Sequence, residues 1–240
     1  LAGPDRSGGS PHNVLPRRTS NRRDMSMFDF GFADHEDSAY ESHVRELVAS
    51  YEDDPDSYFD SSALEDIASY YFERGKLEKA LEVIDHLLHL HSYTSDGWMR
   101  RGILLNNLGR HEEALDAYRE ALSLNPVDTE TLINQGITLD SLGRTDEALA
   151  SYDQALSINP RHSEALFNRG ITLERNDRLE DAVEAFRACA DLDPEHPEVW
   201  YELGYCYDRL EDDEQSVDCY DRHLDVDPYS QDAWYNRGIV

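Results

Sequence analysis

Lysine is almost missing from this chain: Lys76 and Lys79 are the only two in 240 residues, against twenty arginines. Long apolar runs are missing too. No stretch of about 18 consecutive hydrophobic residues occurs, which excludes a membrane-spanning helix. The first residues carry arginines but none of the apolar core that a secretory signal peptide needs, so a cytoplasmic protein is expected. Cysteine is scarce, with Cys189, Cys206 and Cys219 odd in number and forming no C-x-x-C pair. They read as reduced packing residues, not as a disulfide framework or a zinc site. No glycine-rich phosphate loop, nucleophile elbow or Cys–His arrangement is present, and no loop has the D-x-[DN]-x-[DN]-G calcium pattern. These absences leave no enzyme chemistry and no cofactor to expect.

What is abundant is acid. Fifty-one aspartates and glutamates give a net charge of −29, and aspartate outnumbers glutamate. Such a surface repels phosphates, so nucleic acid and anionic membranes are excluded as partners. The Asp-rich, Lys-poor balance resembles that of proteins from salt-accumulating halophiles, where carboxylates hold water and counter-ions. An acidic interaction protein is the alternative.

Residues 1–24 are a different material, rich in Gly, Pro, Ser and Arg, with five arginines against two aspartates and no periodicity. They read as a disordered leader. Met25 opens the acidic part and is expected to be the natural start, with a basic tail folding back on the acidic body as the alternative. Residues 25–60 contain one helical stripe, Tyr40, Val44, Leu47, Val48 and Tyr51, closed by Asp54-Pro55. This segment reads as a helical cap or a degenerate repeat.

From residue 61 onward the chain repeats itself. Pro126, Pro160, Pro194 and Pro228 are spaced 34 apart, as are Gly102, Gly136, Gly170, Gly204 and Gly238. Trp98, Leu132, Leu166, Trp200 and Trp234 keep the same step, as do Ala80, Ala114, Ala148 and Ala182 with Ser216 in fifth place. Tyr118, Tyr152, Phe186 and Tyr220 complete the register. A period of this length signals stacked helix pairs. The units run 61–94, 95–128, 129–162, 163–196 and 197–230, with a partial sixth at 231–240. Asn125, Asn159, Asp193 and Asp227 each precede a proline and so end the second helix of their units. Ser92 replaces the proline of the first unit. In the fifth, His223 stands where Ala121, Ala155 and Cys189 stand before it, which predicts a looser or rotated junction.

Trp200, Leu203, Gly204 and Tyr207 spell W-x-x-L-G-x-x-Y, and Ala148, Tyr152 and Pro160 supply the later part of the same signature. In these residues the chain resembles the tetratricopeptide repeat (TPR) family over roughly three-quarters of its length. The resemblance implies an all-α solenoid, a right-handed superhelix of antiparallel helix pairs. It also implies a concave groove lined by the first helix of each unit. Carried onto this sequence, the fifth, sixth and ninth places of each unit give the expected peptide-binding residues. They are Met99, Arg100 and Ile103, then Ile133, Asn134 and Ile137. Phe167, Asn168 and Ile171 follow, then Tyr201, Tyr205 and Asn236. The apolar members would form a floor, or pack between neighbouring first helices. The asparagines resemble ladders that hold a peptide by its backbone amides, since an amide side chain both donates and accepts; bonding between adjacent helices is the alternative. Glu202 breaks the ladder.

Carboxylates at the second place (Asp96, Glu130, Glu164, Glu198, Asp232) and the twelfth (Asp140, Glu174, Asp208) would rim the groove with acid. A protein or peptide ligand with apolar and basic side chains is therefore favoured. TPR arrays that clamp acidic C-termini need lysine at the fifth place, and none is present. His86, His89 and His91 invite a metal reading but sit on a second helix, where packing explains them. The leading expectation is a binding scaffold for an extended peptide or partner helix. The alternatives are the recognition region of a longer enzyme or regulator, and self-association through the C-terminal end.

Overall fold

A computed structural model describes residues 38–240. The proposed leader, Met25 and the first part of the 25–60 segment lie outside the described residues. The described chain contains twelve helices and no strand. Helix α1 spans Ser38–Asp53. Five helix pairs follow: α2 (Ser61–Glu73) with α3 (Leu77–Leu90), α4 (Ser95–Asn107) with α5 (His111–Leu124), and α6 (Thr129–Ser141) with α7 (Thr145–Ile158). Then come α8 (Ser163–Arg175) with α9 (Leu179–Leu192), α10 (Val199–Arg209) with α11 (Asp213–Val226), and the single helix α12 (Gln231–Ile239).

Local chemistry starts each helix. Asp60 accepts a hydrogen bond from the Ala63 amide at 2.8 Å and caps α2. The second helix of each pair opens with carboxylates, such as Glu112 and Glu113 on α5 and Asp146 and Glu147 on α7, which suits the positive end of the helix dipole. Arg110 and Arg144, just before these helices, each grip a glutamate three residues on with two hydrogen bonds of 2.6–2.8 Å.

One feature closes four of the pairs and another links units. A glycine on the first helix faces an aromatic on the second: a Cβ on Gly136 would lie 2.5 Å from the ring of Tyr152. The rings so seated, Tyr118, Tyr152, Phe186 and Tyr220, are almost wholly buried. Where a tryptophan occupies the fourth place, its indole N–H donates back to a loop carbonyl six residues earlier. Trp98 reaches Ser92, Trp200 reaches Pro194 and Trp234 reaches Pro228, at 2.8–3.0 Å. This bond ties α4, α10 and α12 to the end of the preceding unit.

One apolar core runs along the stack from Val44 and Val48 on α1 to Cys219 on α11. A separate small cluster, Tyr201, Tyr220, Leu224 and Ala233, joins α10, α11 and α12. His223 lies at this division, buried, with its ring 5.5 Å from that of Tyr201. The imidazole is thus accommodated inside the junction, and Ser216 donates to the Gly204 carbonyl at 2.9 Å. The three thiols are buried on α9, α10 and α11. Burial pushes Cys189 and Cys219 up to about 12, and Cys206 further.

Candidate functional site

Successive first helices touch one another, α4 with α6, α6 with α8 and α8 with α10, while the second helices pack mainly on the first helices beside them. The first helices therefore form the inner side of the stack. They carry the residues expected to bind a ligand.

The structure sorts these residues into two groups. Met99, Arg100, Phe167 and Tyr205 are half-buried and keep part of their surface open. Ile103, Ile133, Ile137, Ile171 and Tyr201 are buried at 0–9% exposure, so they underlie the inner face and do not form an open floor. They pack into the apolar clusters between neighbouring helices. The asparagines are also buried: Asn134 is 7% exposed, Asn168 3% and Asn236 3%. Asn168 donates to the Glu164 carbonyl of its own helix at 3.0 Å, and Asn236 donates to the Tyr201 hydroxyl one repeat back at 3.0 Å. Thr138 continues this internal bonding to Asn106 at 3.0 Å. Asn236 and Thr138 thus bond across helices and Asn168 within its own, and the three asparagines keep little surface open.

The acidic rim is altered as well. Two of the twelfth-place carboxylates meet arginines from the next repeat: Arg175 pairs with Asp140 at 2.7 Å, and Arg209 lies 3.9 Å from Glu174 and also 2.5 Å from Asp177 in the turn. Contacts 32–35 residues apart in sequence thus offset part of the acid that composition alone suggests. Burial together with the nearby Asp213 carboxylate raises Asp208, and burial raises Glu65. At the second place Asp96 binds Arg100 at 2.6 Å, and Glu130 binds the His162 ring at 3.1 Å. Counting all groups on these helices, carboxylates still outnumber arginines.

Two histidines that the sequence did not single out belong to this face. His162 and His196 each end a repeat, one residue before α8 and three residues before α10. His196 stacks on Phe167 with ring centroids 4.3 Å apart, and Phe167 also leans on Phe186 at 5.6 Å. Burial holds His196 below its ordinary value. Their recurrence at a 34-residue step was the available signal. His86, by contrast, hydrogen-bonds Tyr51 at 3.3 Å on the opposite helix type, while His89 and His91 are exposed. Among the described residues no group of three or more His, Cys, Asp or Glu could hold a metal ion. Nor is any described helix long and apolar enough to cross a membrane.

Family models described as tetratricopeptide repeat match residues 95–128, 133–197 and 175–233. No curated protein matches the chain significantly in sequence. Among solved structures the chain is similar to YrrB, described as a TPR protein with an unusual peptide-binding site. Identity there is 23%, over 81% of this chain and 99% of that one, with a TM-score of 0.59. It is also similar to MamA from Desulfovibrio magneticus RS-1, at 21% identity over 71% of this chain and 97% of that one, TM-score 0.63. A tetratricopeptide repeat protein from Parabacteroides merdae ATCC 43184 shares 19% identity over 83% of this chain and 78% of its own, TM-score 0.68. Identities this low establish likeness of fold alone. With four glycine–aromatic helix pairs at a 34-residue step and family matches along most of the stack, the chain belongs to the tetratricopeptide repeat family, whose arrays serve as protein-interaction scaffolds.

Proposed function

We propose that the inner face of this scaffold holds an extended segment of a partner protein that is apolar and basic in character. The observation that carries the reading is the composition of the part-open surface. Met99, Phe167 and Tyr205 offer apolar and aromatic contact, and a carboxylate recurs at the second place of every repeat from Asp96 to Asp232. An aromatic face beside carboxylates suits the long side chains of arginine and lysine, whose stems pack and whose heads pair. Ile103, Ile133, Ile137, Ile171 and Tyr201 support this surface from beneath. Asn236 helps hold α12 on α10 through the Tyr201 hydroxyl. The described peptide-binding site of YrrB lends the reading an analogy.

Fluorescence anisotropy of labelled peptides tests it. Peptides alternating Arg or Lys with Leu or Phe should bind saturably, and acidic peptides of the same length should not. Glu130→Lys with Glu164→Lys should weaken binding at least tenfold, and Phe167→Ala should do likewise. Equal binding of basic and acidic peptides, or no effect of the charge reversals, would rule the reading out.

A further inference from the structure

The chain enters the stack beside its inner face. In the first turn of α1, Tyr40 donates to Asp66 of α2 at 2.8 Å, and Glu41 lies 3.9 Å from Arg74 at the end of that helix. Glu65 and Asp66 hold the fifth and sixth places of the first repeat, and both are half-buried. Val44 and Val48 fix α1 here in the core. Further along the same face, Asp96 and Glu130 keep 49% and 56% of their side-chain surface open, near half-buried Met99 and Phe167. The residues that precede α1 have the complementary composition. Segment 14–32 carries Arg17, Arg18, Arg22 and Arg23 against Asp24 and Asp29. It also carries Phe28, Phe30 and Phe32, and residues two apart share one side of an extended chain.

We propose that residues 14–32 occupy the inner face of the same molecule and compete there with a partner segment. This rests on the inner face being the ligand site, and it names one ligand for it. Charge favours the match, since the chain as a whole has a net charge of −29 while this segment is basic. Aromatic contact with Met99 and Phe167 adds to it. The reach is sufficient. Stacked helices lie about 10 Å apart, so from α2 to α8, three repeats on, is on the order of 30 Å. The chain from Arg22 to Ser38, extended at about 3.3 Å per residue, would span roughly 50 Å. A tethered segment also meets its site at a high effective concentration, so modest contacts suffice. The segment of a second copy has no such advantage. Of the two expectations for the basic leader, these features favour the tail that folds back on the body.

The test compares the full chain with a full-length variant carrying Arg17→Gln, Arg18→Gln, Arg22→Gln, Arg23→Gln, Phe28→Ser, Phe30→Ser and Phe32→Ser, all before α1. The probe is a labelled synthetic peptide of residues 14–32, followed by anisotropy. It should bind the variant saturably and the natural chain at least tenfold more weakly, because there the tethered segment holds the site. Adding Glu130→Lys and Glu164→Lys to the variant should weaken the peptide at least tenfold, with circular dichroism checking that the helices are kept. Glu130→Gln with Glu164→Gln, a milder change, should act in the same direction. A peptide alternating Arg with Leu is the control for the inner face itself. If that control binds the variant and the 14–32 peptide does not, the proposal is overturned and the general reading of the inner face stands. If neither binds, both fall. Equal affinity of the 14–32 peptide for the variant and the natural chain, or indifference to the charge changes, also overturns the proposal. So does a concentration-dependent dimer of the natural chain, seen by light scattering and lost in the variant, since the segment would then act between copies.

Discussion

The turn between the two helices of each pair uses one residue in the left-handed region, but only three of the five repeats use glycine there. Gly75, Gly109 and Gly143 have φ of +67°, +74° and +71°, whereas Asp177 and Glu211 hold +63° and +61°. A residue with a Cβ is strained in that region by roughly 1–2 kcal/mol, partly offset by its lower chain entropy when unfolded. The two substitutes differ in what they gain. Asp177 accepts a hydrogen bond from Arg209 at 2.5 Å, while the Glu211 side chain is exposed. Glu211→Gly should therefore stabilise the array by about 0.5 kcal/mol, seen as a higher urea midpoint. Asp177→Gly should gain less, because it also removes the link to Arg209. A lower midpoint for Glu211→Gly would mean that the turn carries no strain for glycine to relieve.

At the scale of helices, what could be read from the sequence depended on how far apart the interacting residues lie. The glycine, aromatic and proline registers gave the helix pairs and the family, since each acts within one unit. The inner face was less legible. Ile133 and Tyr201 are buried where Met99 and Phe167, at the same place in their repeats, are half-buried, and only the neighbouring repeat decides which. Asn236 finds Tyr201 across 35 residues, and the acid of Asp140 is met by Arg175 across the same distance. A single unit does not carry that information. The pairing seam itself yields a sharp contrast. Gly136→Ala would place a methyl 2.5 Å from the ring of Tyr152, which is 1% exposed and has no room to move. Overpacking of this kind costs about 1–3 kcal/mol. Gly238→Ala meets open space and should be near neutral. Hydrogen exchange should show Gly136→Ala loosening α6 and α7 first, because stability in a repeat stack is the sum of local terms. Uniform loss of protection along the whole array would count against that locality.

For the whole molecule, charge sets two responses that should move in opposite directions. Bonded pairs such as Arg101 with Asp85 at 2.7 Å and Arg169 with Asp153 at 2.9 Å recur between units, yet the chain keeps a net charge of −29. Exposed pairs of this kind contribute little each. Self-repulsion among the excess carboxylates acts over the full length and is screened by salt, with a Debye length of about 10 Å at 0.1 M and about 3 Å at 1 M. Raising KCl from about 0.1 M to about 1 M should therefore raise Tm by several degrees. The same salt should weaken a basic peptide on the inner face, since that attraction is screened too. Differential scanning fluorimetry and peptide anisotropy across one KCl series measure both. A Tm that falls with salt would show that the ion pairs between repeats outweigh the repulsion. Peptide affinity that does not respond to salt would place the binding energy in the aromatic contacts around Phe167 and Tyr205, with the carboxylates contributing little.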